Sequence, residues 1–127
     1  MNINLPVHDV DLPLPPIGNK IFCAQEIGIY VLEKGACTVR SIVNTRIGNG
    51  ALSFYDALPD SNGRLPDHAK LVFSSSPPIL GCNMLDGGLH NGLTMILHGS
   101  GGPTNNPPCT TVTWFPERKQ TKRIENV

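Results

Sequence analysis

The chain has 127 residues, with ten Lys and Arg balanced by ten Asp and Glu for a formal net charge of zero. That length holds one two-layered core and not two, and the missing basic excess argues against nucleic-acid binding by phosphate neutralisation. Thirteen glycines and twelve prolines, about a fifth of the chain, imply short strands joined by many turns rather than long helices. No apolar run is long enough to span a membrane as a helix. The opening MNINLPVHDVDLPLPP has neither the positive n-region nor the continuous apolar h-region of a secretory signal.

Residues 1–20 carry four prolines, at positions 6, 13, 15 and 16. Proline removes a backbone donor and biases the residue before it to extended geometry, so this stretch reads as an extended arm. Its apolar residues Leu5, Val7, Val10, Leu12, Leu14 and Ile17 exceed what a solvated tail needs. They predict that the arm lies against its own domain or a neighbouring subunit.

Strands are expected from Ile21 onward, where Ile27, Ile29 and Val31 alternate with Gly28, Tyr30 and Leu32. The stretch Gly35–Gly63 reads as two β-rich runs around a turn at Ile47-Gly48-Asn49-Gly50, since Gly and Asn accept positive φ cheaply. In the first run Val39 and Val43 share a face with Cys37 and Ser41, against Thr38, Arg40 and Ile42. In the second, Leu52 and Phe54 oppose Ser53 and Tyr55. Ala57–Asp67 is a polar surface loop. Lys70–Phe73 is a strand with Leu71 and Phe73 inward, and Ile79–Leu85 a further short one before a turn at Asp86-Gly87-Gly88. Leu93, Met95 and Leu97 share a face. The loop Gly99–Pro108 leads to a last strand, Cys109–Phe115, with Val112 and Trp114 on one side, and residues 117–127 form a modestly basic solvated tail. Some seven strands at roughly ten-residue spacing predict an all-β, antiparallel β-sandwich or jelly-roll-like single domain over 21–116 with an extended N-terminal arm.

No constellation of residues points to a reaction. Cys23, Cys37, Cys82 and Cys109 are dispersed rather than set in CxxC pairs, which argues against structural zinc. They allow three disulfide pairings, and a domain of this size favours buried free thiols. His90 and His98 flank a strand and reach one ion, with Cys82 or Asp86, only if the chain reverses between them. Asp56, Asp60, Asn62 and Asp67 have the composition of a calcium loop without EF-hand spacing, and turn formation explains them. Gly99-Ser100-Gly101-Gly102 lacks the Lys-Ser/Thr of a phosphate loop. Trp114, Tyr55, Tyr30 and Phe115 read as core volume, or alternatively as a sugar-stacking platform. The chain is therefore expected to be no enzyme and to hold no cofactor or metal.

Across about Ile29–Phe115 the pattern resembles the small β-sandwich structural proteins of tailed-bacteriophage virions. The residues that carry it are the strand Gly35–Asn44, the strand Gly50–Asp56 ending in Tyr-Asp, Leu71–Phe73, Asn91-Gly92-Leu93-Thr94 and Thr111–Trp114. The resemblance implies a non-enzymatic virion component assembled in the host cytoplasm, most directly a capsid decoration (cement) protein. Its partners would be the major capsid protein or other virion proteins and further copies of itself, with no nucleic acid and no membrane. Leu5, Val7, Leu12, Leu14 and Ile17 are the expected partner-binding residues of the arm, and Asp60 and Asn62 are possible loop contacts. A neck, tail or fibre-base component is the alternative placement. A carbohydrate-binding host-recognition module using Trp114, Tyr55 and the Asp60–Gly63 loop is the alternative class.

Overall fold

The computed structural model describes residues 5–10, 12–13, 19–46, 50–75, 81–84, 88–98 and 109–117. Among these, every regular element is a strand: β1 (Val7–Asp9), β2 (Lys20–Ala24), β3 (Gly28–Glu33), β4 (Cys37–Arg46), β5 (Ala51–Asp56), β6 (Lys70–Ser75), β7 (Gly81–Met84), β8 (Gly88–Leu89), β9 (Leu93–His98) and β10 (Cys109–Pro116). One sheet has the order β1-β3-β9-β5-β6, the other β2-β10-β4-β7 with β8 also on β4. All these pairings are antiparallel except β1 with β3. The expected turn at Ile47-Gly48-Asn49, the turn residues Asp86 and Gly87, the loop at 99–108 and the tail at 118–127 lie outside the described residues.

Alternation places one apolar set from each sheet in a common core. The first sheet contributes Tyr30, Leu32, Leu52, Phe54, Leu93, Met95 and Leu97. The second contributes Ala24, Cys37, Val39, Ile42, Val112 and Trp114. The arrangement is consistent with a β-sandwich. The expected faces of β5, β9 and β10 are those observed: Leu52, Phe54, Leu93, Met95, Leu97, Val112 and Trp114 are all fully buried.

Two expected faces are corrected by β-bulges, each an unpaired extra residue that reverses the in/out parity of the residues beyond it. In β4, Val39 pairs with Trp114 and Ser41 with Thr113, so Arg40 is the extra residue. Ile42 and Asn44 therefore turn inward and Val43 does not, the reverse of the expected set. In β6, Phe73 pairs with Phe54 and Leu71 with Tyr55, so Val72 is extra. Leu71, expected inside, is half exposed, while Val72 and Phe73 pack against the core.

Inward polar groups are matched to partners, as a low-dielectric interior requires. Asn44 Oδ1 accepts the Thr110 hydroxyl at 2.7 Å. Trp114 Nε1 donates to Glu33 Oε1 at 2.9 Å, and Lys20 Nζ donates to the same oxygen at 3.1 Å. This indole, carboxylate and ammonium cluster ties β10 of one sheet to β3 of the other.

His98, at the end of β9, is half-buried, and burial pushes its imidazole below the ordinary value of 6.5. Its proton therefore binds more readily to the unfolded chain. Above about pH 6.5 the folded state carries no penalty from this group, and the penalty grows as pH falls through the lowered folded value. The expected result is a denaturant midpoint that starts to drop as pH falls below about 6.5, with a shallower drop in His98→Gln. Equal slopes for the two proteins would show that His98 is not responsible.

Candidate functional site

The N-terminal segment is built into the fold where it is described. Val7, His8 and Asp9 pair in parallel with Ile29, Tyr30 and Val31, and the pairing extends through Ile29 N to Pro6 O and Val10 N to Val31 O. His8 stacks on Tyr30 with ring centroids 4.8 Å apart, and Asp9 forms an exposed ion pair with Lys34 at 2.8 Å. Val10 and Leu12 pack against the core. Leu5 is half-buried and Val7 is 46% exposed, while Leu14 and Ile17 lie outside the described residues. An edge strand blocked by its own short, proline-flanked arm presents few free backbone groups. The arm thus begins as a strand of its own sheet, which the proline count alone did not reveal.

The loop at 57–69 folds back over the outer face of the same sheet. Gly63 is buried there with φ +78, and a Cβ on it would stand 2.9 Å from Val7 Cγ2 and 3.8 Å from Ile29 Cδ1. Thr94, on that face, donates its hydroxyl to Ala57 O at 2.7 Å. This cover accounts for the burial of Ile29 and Thr94, and with Val31 and Ile96 also buried, β3 and β9 are covered on both faces rather than one. The loop holds its shape through Asp60, whose Oδ1 accepts the backbone N–H of Asn62 at 2.8 Å and of Arg64 at 3.0 Å. These two hydrogen bonds, that from Arg64 foremost, hold the Asp60 carboxyl below its usual value. Asp60 and Asn62 are exposed, but that carboxylate oxygen is engaged by its own turn.

Asp56 anchors the far end of the loop. Its carboxylate accepts the backbone N–H of Asn91 at 2.8 Å and of His90 at 3.1 and 3.2 Å. Gly92 follows with φ +134, and a Cβ there would lie 2.6 Å from Leu58 Cδ2 and 3.0 Å from Glu33 O. Beside this corner an open cleft of about 510 Å³ is lined by Asp56, Leu58, His68, Lys70, His90 and Asn91. Asp56 is committed to backbone donors rather than free to act as a base. The calcium reading loses its geometry in the same way, because Asp56 and Asp60 each serve separate backbone corners. Among the described residues no three His, Cys, Asp or Glu side chains are placed to share an ion. His90 and His98 stand beyond opposite ends of the Leu93–Leu97 run.

The outer face of the second sheet is different. Ile21 is 61% and Phe115 42% exposed. Between them across the β2–β10–β4 ladder lie Thr113, Thr111, Ser41, Val43 and Cys23. Arg40, exposed on the β4 bulge between Ser41 and the Thr38 that pairs with Phe115, places a charge beside these residues. Trp114, by contrast, is fully buried in the core with its N–H engaged, so it offers no surface to a sugar ring. The sequence hid this face because the Arg40 bulge decides which side chains of β4 reach it. Compared with known protein families, curated proteins and solved structures, the chain matches none.

Proposed function

We propose that the chain is a non-enzymatic structural protein of a bacteriophage virion, a decoration (cement) protein seated on the capsid, with the neck, tail or fibre base as the alternative position. In this reading the body is a jelly-roll-like sandwich, and the first twenty residues supply an arm whose Leu5, Val7, Leu14 and Ile17 add to the contact, Leu12 being turned to its own core. The observation that carries the reading is the outer face of the second sheet, where hydroxyl and apolar side chains predominate and Arg40 adds a charge beside them. Ile21 and Phe115 are exposed on a ladder of hydroxyl and apolar side chains, while the first sheet covers part of its own outer face with the loop at 57–69. Exposed apolar side chains set among hydroxyls can anchor a protein-docking surface, and repeated copies on a shell multiply a weak contact by avidity.

The test is binding to undecorated capsids, measured by co-sedimentation. The full chain is expected to bind saturably. The double variant Ile21→Glu, Phe115→Glu changes only exposed positions and is expected to keep its circular dichroism while losing affinity by about tenfold or more, as each lost apolar anchor costs on the order of 1–2 kcal/mol. Absence of binding by the full chain sinks the capsid placement and directs the assay to tails and fibre bases.

A further inference from the structure

The outer face of the second sheet also brings together two cysteines that are 86 positions apart in the chain, with Cys23 Sγ and Cys109 Sγ 3.8 Å from one another. They stand on neighbouring antiparallel strands. Cys23 of β2 pairs with Thr111 of β10, and Cys109 lies two residues further along, on the same side of the sheet. A diagonal is longer than a directly opposed pair, but here the 3.8 Å between the sulfurs brings the two short side chains together across it. Cys23 is exposed and Cys109 partly so, which leaves the pair open to small reagents. Cys37 is set apart from this chemistry. It faces the core, where burial, with Glu33 and Asp56 adding to it, pushes its thiol up to about 12, and a thiol held protonated is a poor nucleophile.

We infer that Cys23 and Cys109 form a reversible cross-strand disulfide, a thiol–disulfide exchange site on the docking face. The sulfurs need to approach by about 1.8 Å to reach bonding distance, within the range of side-chain rotation and a small shift of the β2 edge. The oxidant is a low-molecular-weight disulfide. The thiolate of one cysteine attacks a sulfur of that disulfide, giving a mixed disulfide and releasing one small thiol. The second cysteine, deprotonated, attacks the protein sulfur of the mixed disulfide and releases the other. Two protein S–H bonds become one S–S bond, and the two electrons and two protons end on the two small thiols. A reducing thiol in excess reverses both steps. The consequence falls on β2, an edge strand whose partner in the sheet is β10. The bond fastens that edge, and with it the chain on either side of Cys23, to the strand at the centre of the sheet.

The test uses the full chain, purified under reducing conditions and equilibrated with oxidised glutathione, then mapped by mass spectrometry after alkylation and digestion. The expected product is lighter by two hydrogen atoms, with one cross-linked peptide pair joining Cys23 to Cys109 and with Cys37 and Cys82 alkylated. Amide exchange across β2 should slow by about tenfold or more on oxidation, and the unfolding midpoint should rise by about 5 °C or more. Cys23→Ser and Cys109→Ser alter surface positions, and each should carry a single glutathione adduct in place of the bond and show neither change. Stable glutathione adducts on both cysteines of the parent, or a bond to Cys82, overturn the inference. A Cys23–Cys109 bond that leaves β2 exchange unaltered overturns the tethering role.

Discussion

Replacement of Trp114 with alanine is expected to lower the unfolding free energy by about 4 kcal/mol, the upper part of the range for a fully buried aromatic. The size of the effect comes from position. Trp114 is the largest fully buried side chain among the described residues, packed between the two sheets, and its indole N–H is one of two donors on Glu33 Oε1. Truncation opens a cavity and also takes one of those two donors from a largely buried carboxylate, leaving it Lys20. A domain of this size has about 5–15 kcal/mol to lose, so the variant stays folded only near its stability optimum. Trp114→Phe separates the two contributions: it keeps most of the ring volume and removes the N–H, and should cost about 1–2 kcal/mol. Trp114 is the only tryptophan, so unfolding in urea must be followed by circular dichroism. Near-equal losses for the two variants would show that the hydrogen bond, not the volume, dominates.

Asp56→Ala is expected to cost about 3 kcal/mol, because two backbone N–H groups lose a charged acceptor together. The loss should be local as well as global. His90 and Asn91 would be released from β5, and with them the corner that Gly92 turns against Leu58. Asp56→Asn keeps an oxygen at the Oδ1 position, where both N–H groups converge, and should cost only about 1 kcal/mol. Denaturant midpoints of the two variants, with the amide proton shifts of residues 90 and 91, distinguish loss of the acceptor from loss of its charge. If the two substitutions prove equally mild, the corner is held by Gly92 and Leu58 rather than by the carboxylate.

The all-β class and the faces of β5, β9 and β10 were legible because strict alternation survives in regular strands. Arg40 and Val72 show where legibility stops. A bulge is a property of the ladder between two strands, so nothing local in Val39-Arg40-Ser41 announces that the inward set changes from odd to even positions. The double burial of β3 was unreadable for a related reason, since the loop that covers Ile29 lies some thirty residues away. Asp56 was visible as the end of a strand and as one carboxylate of a polar loop. Its role depends on amides at 90 and 91, and backbone donors have no sequence signature. The cysteine pair belongs with these. Only the pairing of β2 with β10 selects Cys23 and Cys109 from the possible combinations.

The strand order has a consequence for how the chain reaches this state. β9 lies between β3 and β5 in one sheet, and β10 between β2 and β4 in the other. β9 and β10, the last two strands among the described residues, are thus the central ones, and synthesis must pass Cys109 before both sheets have their middles. Until then β2, β3, β4 and β5 emerge with unpaired edges, the condition in which association between nascent chains competes with folding. Such non-local pairing folds on the order of milliseconds to seconds. Those edges stay open until β9 and β10 arrive, so conditions that shield them are expected to favour folding over association.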